Sequence, residues 1–162
     1  HKSMNRLTGF KNEVLETGDV PTTQLLDFSI LSADGSLAEK LGVEAGEKVY
    51  RTVRLRRKNG VPIIIDFSYF TGFAFEGATA ETLCQSIYDF IEKEKNLIIS
   101  CANQVITAEM PPPKVARVLE MGAGKPVIRM DQTVYFADGR AFEYTISYKN
   151  PQRYVLTVTA QR

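Results

Sequence analysis

Histidine is all but missing from this chain: the single copy is His1, at the head of an "HKSM" start that reads as a tag remnant. Its absence elsewhere removes the commonest general base and metal ligand. No cluster of His, Cys and carboxylates has metal-ligand spacing. Zinc chemistry and a Ser-His-Asp triad are therefore set aside, and no cofactor is expected. Cys84 and Cys101 are the only cysteines and have no CxxC spacing. They read as buried free thiols, in keeping with a reducing, cytoplasmic setting. Charge of one sign is missing too: the net charge is +1, without the basic excess of a nucleic-acid binder. Apolar runs are far too short to span a bilayer, and no signal-peptide pattern opens the chain.

What is present suits one ordinary soluble domain: 162 residues, 44% hydrophobic and 24% charged. "LTGFKNEVLETGD" predicts a short helix with Thr8 or Gly9 as its cap. "TTQLLDFSIL" predicts a strand. "SLAEKLGV" predicts a helix capped by Ser36 and stopped by Gly42. Residues 47–58 and 61–70 predict a hairpin around "KNG". "ETLCQSIYDFIEKE" predicts a helix with Leu83, Ile87, Phe90 and Ile91 on one face. A long strand over "NLIISCANQVITAEM" follows, then a proline-led helix stopped by Gly122. Strands at 126–136 and 141–148 flank an Asp-Gly turn, and a last strand runs from 153 to 160. Strands in hairpins with short helices between them give an α+β fold with a mainly antiparallel sheet. Residues 1–6 are read as tag remnant and disordered start, and 7–162 as the one domain.

The chemistry concentrates in "RTVRLRRKNGVPIIIDFSYF". Side chains alternate along a strand, so Tyr50, Thr52, Arg54 and Arg56 share a face, as do Ile64, Asp66 and Ser68. An even register across the turn sets Arg54 opposite Asp66, with Phe67, Tyr69 and Phe70 as an aromatic surround. Two readings stand on these residues alone. A solvated cross-strand ion pair contributes roughly 0.2–1 kcal/mol. Alternatively, the arginines grip a phosphate or carboxylate through paired hydrogen bonds. Ser86 and Tyr88 at a helix start are either cap and surface or ligand contacts. Glu143, sharing a face with Thr145 and Ser147 in "RAFEYTISY", is either an exposed edge acid or part of the same pocket. "LTGF" offers either a plain turn or backbone N–H groups at a helix start.

In order along the chain, "LTGF…TGDVPTT", "LGVEAGEKVYRTVRLRRKNGVPIIIDFSYF", "SIYDFIEK" and "PVIRMDQTVYFADGRAFEYTISY…QRYVLTV" resemble the UTRA domain. That domain is the effector-binding part of HutC-subfamily GntR-type bacterial transcription regulators. The resemblance implies a chorismate-lyase-like fold, a central antiparallel sheet flanked by short helices, and a homodimer. It implies a sensor of a phosphosugar or organic acid that touches DNA only through an N-terminal winged helix missing here. The family's phosphate loop falls on Thr8, Gly9 and Phe10, its paired arginines on Arg54 and Arg56, and its strand acid on Asp66. The helix-start serine falls on Ser86 with Tyr88 behind it, the late acid on Glu143, and a further contact on Tyr148. The chain departs from the pattern in "KNPQRY", which lacks the usual Asp, and in having Asp66 where a Glu is more frequent. The rival expectation is a lyase of the same fold acting on a carboxylate substrate.

Overall fold

The structure is a computed structural model that describes residues 2–3, 7–157 and 160. Its frame is a six-stranded sheet in the order β2-β3-β4-β7-β6-β5, antiparallel at every pairing. The strands are β2 (Pro21–Ser32), β3 (Lys48–Lys58), β4 (Val61–Thr71), β5 (Ile99–Glu109), β6 (Val127–Phe136) and β7 (Ala141–Lys149). A separate parallel pair joins β1 (Lys2–Ser3) to β8 (Leu156–Thr157). Of residues 1–6, only Lys2 and Ser3 are among the described residues. The last predicted strand shrinks to β8, and residues 158 and 159 lie outside the described residues.

The β3–β4 hairpin closes through Asn59 and Gly60, both at positive φ (51° and 80°), the backbone a two-residue turn needs to match strand twist. The turn pairs Lys58 with Val61 and Arg57 with Pro62; a bulge between Arg56 and Arg57 then shifts the register by one, and Arg54 stands opposite Asp66. Among the described residues six short helices cover the two faces: α1 (Phe10–Leu15), α2 (Gly35–Leu41), α3 (Gly72–Phe75), α4 (Ala80–Cys84), α5 (Ile87–Glu94) and α6 (Pro113–Val118). Residues of α3, α4 and α5 pack with Phe70, Val134, Phe136 and Phe142 into one buried cluster. On the opposite face α6 packs on Val53, Leu55, Ile65 and Tyr148, and α2 on Val49 and Tyr144.

Local chemistry corrects several expectations. The cap of α2 is Asp34, which accepts a hydrogen bond from the Leu37 amide at 2.8 Å, rather than Ser36; Gly42 does end the helix, at φ 63°. The single helix expected over 81–94 is two. Ser86 accepts from the Asp89 amide at 3.2 Å and so starts α5 afresh, a local side-chain bond displacing helix continuation. α6 ends at Val118, and the chain reverses at Glu120 (φ 54°), before Gly122. Both cysteines are exposed, not buried: one sits at the end of short α4, the other on the uncovered edge strand β5. No helix among the described residues is long and apolar enough to cross a membrane.

Candidate functional site

Three central strands send polar side chains through one face of the sheet: Arg54 and Arg56 from β3, Asp66 and Ser68 from β4, and Glu143, Thr145, Ser147 and Lys149 from β7. Each strand contributes at every second residue, so the pleat gathers them on one floor. Over that floor the start of α1 and the junction of α4 and α5 leave a cavity of about 90 Å³. That is room for several waters or a small polar molecule. Arg54, Arg56, Asp66, Glu143 and Lys149 are all buried, at 4–9% exposure. Five charged side chains at that depth are rare unless paired or functional.

Their partners are unequal. Arg56 Nε donates to Asp66 Oδ2 at 3.0 Å and its Nη1 to Thr23 Oγ1 at 3.0 Å, while Phe10 lies 5.2 Å from the guanidinium. Lys149 Nζ donates to Ser147 Oγ at 2.8 Å. Arg54 Nη2 donates to Ser68 Oγ at 3.1 Å, but its Nε has no hydrogen-bond partner among the described residues. Thr145 Oγ1 lies 2.8 Å from Ser68 Oγ and 3.1 Å from Glu143 Oε1. The Gln132 amide donates to the Tyr88 hydroxyl at 3.3 Å.

Electrostatics separates the two acids. Burial alone would raise the Asp66 carboxyl, yet Arg56, then Lys149 and Arg54, bring it down to about 2. Burial pushes Glu143 up, against the pull of Arg54. Arg54 falls to about 10, first through burial and then through Arg56 beside it, and remains charged at neutral pH. Burial, then the nearby Glu143, raises the Tyr88 phenol. Three cations thus face one firmly ionised carboxylate and a second whose charge is disfavoured. The floor is biased toward an anion, with hydroxyl and amide groups around it for hydrogen bonding.

A model of the UTRA domain matches residues 16–155. The chain belongs to the UTRA family. It is 27% identical over 157 residues to the mannosyl-D-glycerate transport/metabolism system repressor MngR of Escherichia coli, covering 97% of this chain and 65% of that protein. It is 29% identical over 154 residues to the transcriptional repressor NagR of Bacillus subtilis, covering 94% and 63%. The chain therefore spans under two thirds of the length of these relatives. The effector domain of PhnF from Mycobacterium smegmatis shares the fold, with a TM-score of 0.85 at 18% identity over 95% of each chain. The relatives are transcription regulators of the GntR family, in which the UTRA domain is the effector-binding part.

Thr8, Gly9, Phe10, Arg54, Arg56, Asp66, Ser86, Tyr88 and Glu143 all line the same cavity. Tyr148 does not. It lies between Ser147 and Lys149, so its side chain leaves by the other face, packs with Ile65 and Leu119, and meets Phe67 edge-on at 6.0 Å. Phe67 and Tyr69 leave by that face as well, and only Phe70 of the expected aromatic surround stays near Arg54, at 5.9 Å. Gly9 keeps an ordinary φ of −73°, so the start loop does not depend on a left-handed glycine there. Sequence reasoning missed Lys149 and Gln132. Extending the alternation from Glu143 through Ser147 reaches Lys149; Gln132 becomes visible only when β6 is known to pair with β7 opposite Thr145.

Proposed function

We propose that this domain is the effector sensor of a homodimeric, cytoplasmic bacterial transcription regulator whose winged-helix DNA-binding domain lies outside the chain. Its ligand is a small anionic metabolite, a phosphorylated sugar or an organic acid, held over β3, β4 and β7. One observation carries the reading: Arg54, buried and charged, lines the cavity and donates from Nη2 to Ser68, while its Nε has no hydrogen-bond partner among the described residues. A buried donor left unsatisfied costs about 1–3 kcal/mol, which an anionic ligand would recover. Arg56 and Lys149 add attraction, and Glu143, Tyr88 and Gln132 offer partners for hydroxyls. Mannosyl-D-glycerate, in the name of one relative, combines a carboxylate with sugar hydroxyls and shows the kind of chemistry that fits.

A ligand shifts the attached domains only as far as it prefers one arrangement over another. Phe10 over Arg56 and the Thr8 hydroxyl on Glu13 (3.0 Å) support a role for the start of α1 in sensing occupancy. The decisive experiment is a thermal-shift screen of phosphosugars and organic acids, followed by calorimetry on the best binder. Arg54→Ala should lose roughly 1.5–3 kcal/mol of binding, a Kd at least about tenfold higher. Unchanged affinity in that variant removes Arg54 from the site. The reading is binding without turnover, so formation of 4-hydroxybenzoate from chorismate would replace it with the lyase.

A further inference from the structure

Beside the cavity, along α4 and α5, lies a larger groove of about 480 Å³. Lys11, Gln85 and Ser86 line both spaces and form a shared wall. That wall falls at the break between the two helices: α4 ends at Cys84, Gln85 leaves helical backbone at φ −98° and ψ −113°, and Ser86 starts α5. The cavity over the floor, at about 90 Å³, equals the liquid volume of roughly three waters. It suits a phosphate or a carboxylate with its neighbouring atoms, but not a whole sugar ring of about a dozen non-hydrogen atoms. Sites for small metabolites usually enclose about 300–1,000 Å³. The floor falls short of that range, and the adjoining groove supplies the missing room.

The two spaces differ in chemistry. Arg54, Arg56 and Lys149 draw an anion to the floor. In the groove Glu81, Asp89 and Glu94 outnumber Lys11 and Lys93. A second anionic group is disfavoured there, whereas carboxylates accept strongly from hydroxyl groups. Gln85 Nε2 donates to Glu81 Oε1 at 3.0 Å, which fixes an amide and an acid along the groove. Phe90, half-buried against the core, adds an apolar face. Acids, an amide and an aromatic side chain together suit a neutral unit rich in hydroxyls.

We propose that the groove is a second subsite of the effector site and that the effector has two parts. An acidic head, phosphate or carboxylate, sits on the floor against Arg54. A neutral, hydroxyl-rich unit the size of a sugar ring passes the Gln85–Ser86 wall and lies in the groove against Glu81, Asp89 and Phe90. This deepens the proposed function and rests on its anion-binding reading. The division of labour follows from the charges: the floor selects for the acid, and the groove selects for what the acid is attached to. Glu81 and Asp89 are then specificity residues, felt by the ring and not by the head.

The test titrates the chain with matched pairs of compounds: D-glycerate against mannosyl-D-glycerate, and inorganic phosphate against glucose 6-phosphate. Within a pair that binds, the ring-bearing member should have a Kd at least about tenfold lower, the return on one or two added hydrogen bonds. Glu81→Ala and Asp89→Ala should each cut that advantage at least about threefold and leave the Kd of the head alone unchanged. Glu81 is exposed, so its loss tests the groove without threatening the fold. Where the tightest binder of the wider screen is another anion, the same two variants are titrated with it, and an unchanged Kd overturns the groove. Heads that bind as tightly as their ring-bearing partners, or variants that weaken both members equally, overturn it too and leave the anion sensor standing. Absence of binding by every anion in the screen overturns both.

Discussion

The two faces of the sheet carry similar side chains and use them differently. On the cavity face Arg54, Arg56, Asp66, Glu143 and Lys149 are buried beneath α1 and the α4–α5 junction. On the other face Arg129 and Asp131 sit on β6, with Tyr144 and Glu109 beside them. There the guanidinium is fully answered: Arg129 Nε and Nη2 donate to the two oxygens of Asp131 at 2.7 and 3.0 Å, and the Tyr144 hydroxyl donates to the same carboxylate at 3.1 Å. The Arg129 and Asp131 side chains remain more than a quarter exposed. Arg54, far deeper, has one bond to a serine. A satisfied, half-exposed ion pair holds strands together, whereas a buried cation with an open valence marks a place for something else.

That contrast can be broken at its strongest point first. Asp66→Ala would leave the Arg56 guanidinium buried without its carboxylate, and removing one member of a buried pair costs about 3–5 kcal/mol. Chemical denaturation would check this; a loss below that of an exposed pair would erase the distinction between the faces. Next comes pH. The folded-state pKa of Asp66 is depressed, to about 2 from an ordinary 3.8. Its contribution is therefore complete above about pH 4 and disappears as pH falls through 2. Glu143 is shifted the other way, so its contribution is present at low pH and fades as pH rises through its raised pKa. Thermal unfolding from pH 7 to 2 should show Asp66→Asn losing the acid limb of the wild-type curve and Glu143→Gln keeping it. The smallest effects belong to the far face. Arg129→Ala should cost about 0–1 kcal/mol of stability, as exposed pairs do. Tyr148→Phe should leave effector affinity unchanged, and a tenfold loss on calorimetry would put that face in contact with the site.

Much of this was legible in residue order. Period-two alternation placed Arg54 and Arg56 on one face of their strand and Glu143, Thr145 and Ser147 together on one face of theirs, and Asn-Gly at 59–60 marked the hairpin; the bulge beside Arg56 that brings Arg54 opposite Asp66 was not legible. Tyr148 was expected in the site and Lys149 was not, although the same alternation sets Tyr148 one residue out of phase with Ser147 and reaches Lys149. What it could not show is which partner each arginine takes. Arg54 is aligned with Asp66 in the ladder, yet the carboxylate binds Arg56, the diagonal neighbour, because a long guanidinium reaches beyond its own pair. Ser86 was legible as a helix start, but not as a break, since the break depends on where its hydroxyl points.

By itself the sequence determined the element types, the strand faces and the family, because turn chemistry, alternation and motif order are local properties of the chain. The tertiary structure alone decided that β4, paired with β3 on one edge, takes β7 rather than β5 on the other. That long-range pairing sets Asp66 beside Ser147 and brings Glu143 and Lys149 onto the floor with the arginines. It also decided which edges stay open and which charges are covered, since burial depends on what packs above a residue and no local pattern encodes that.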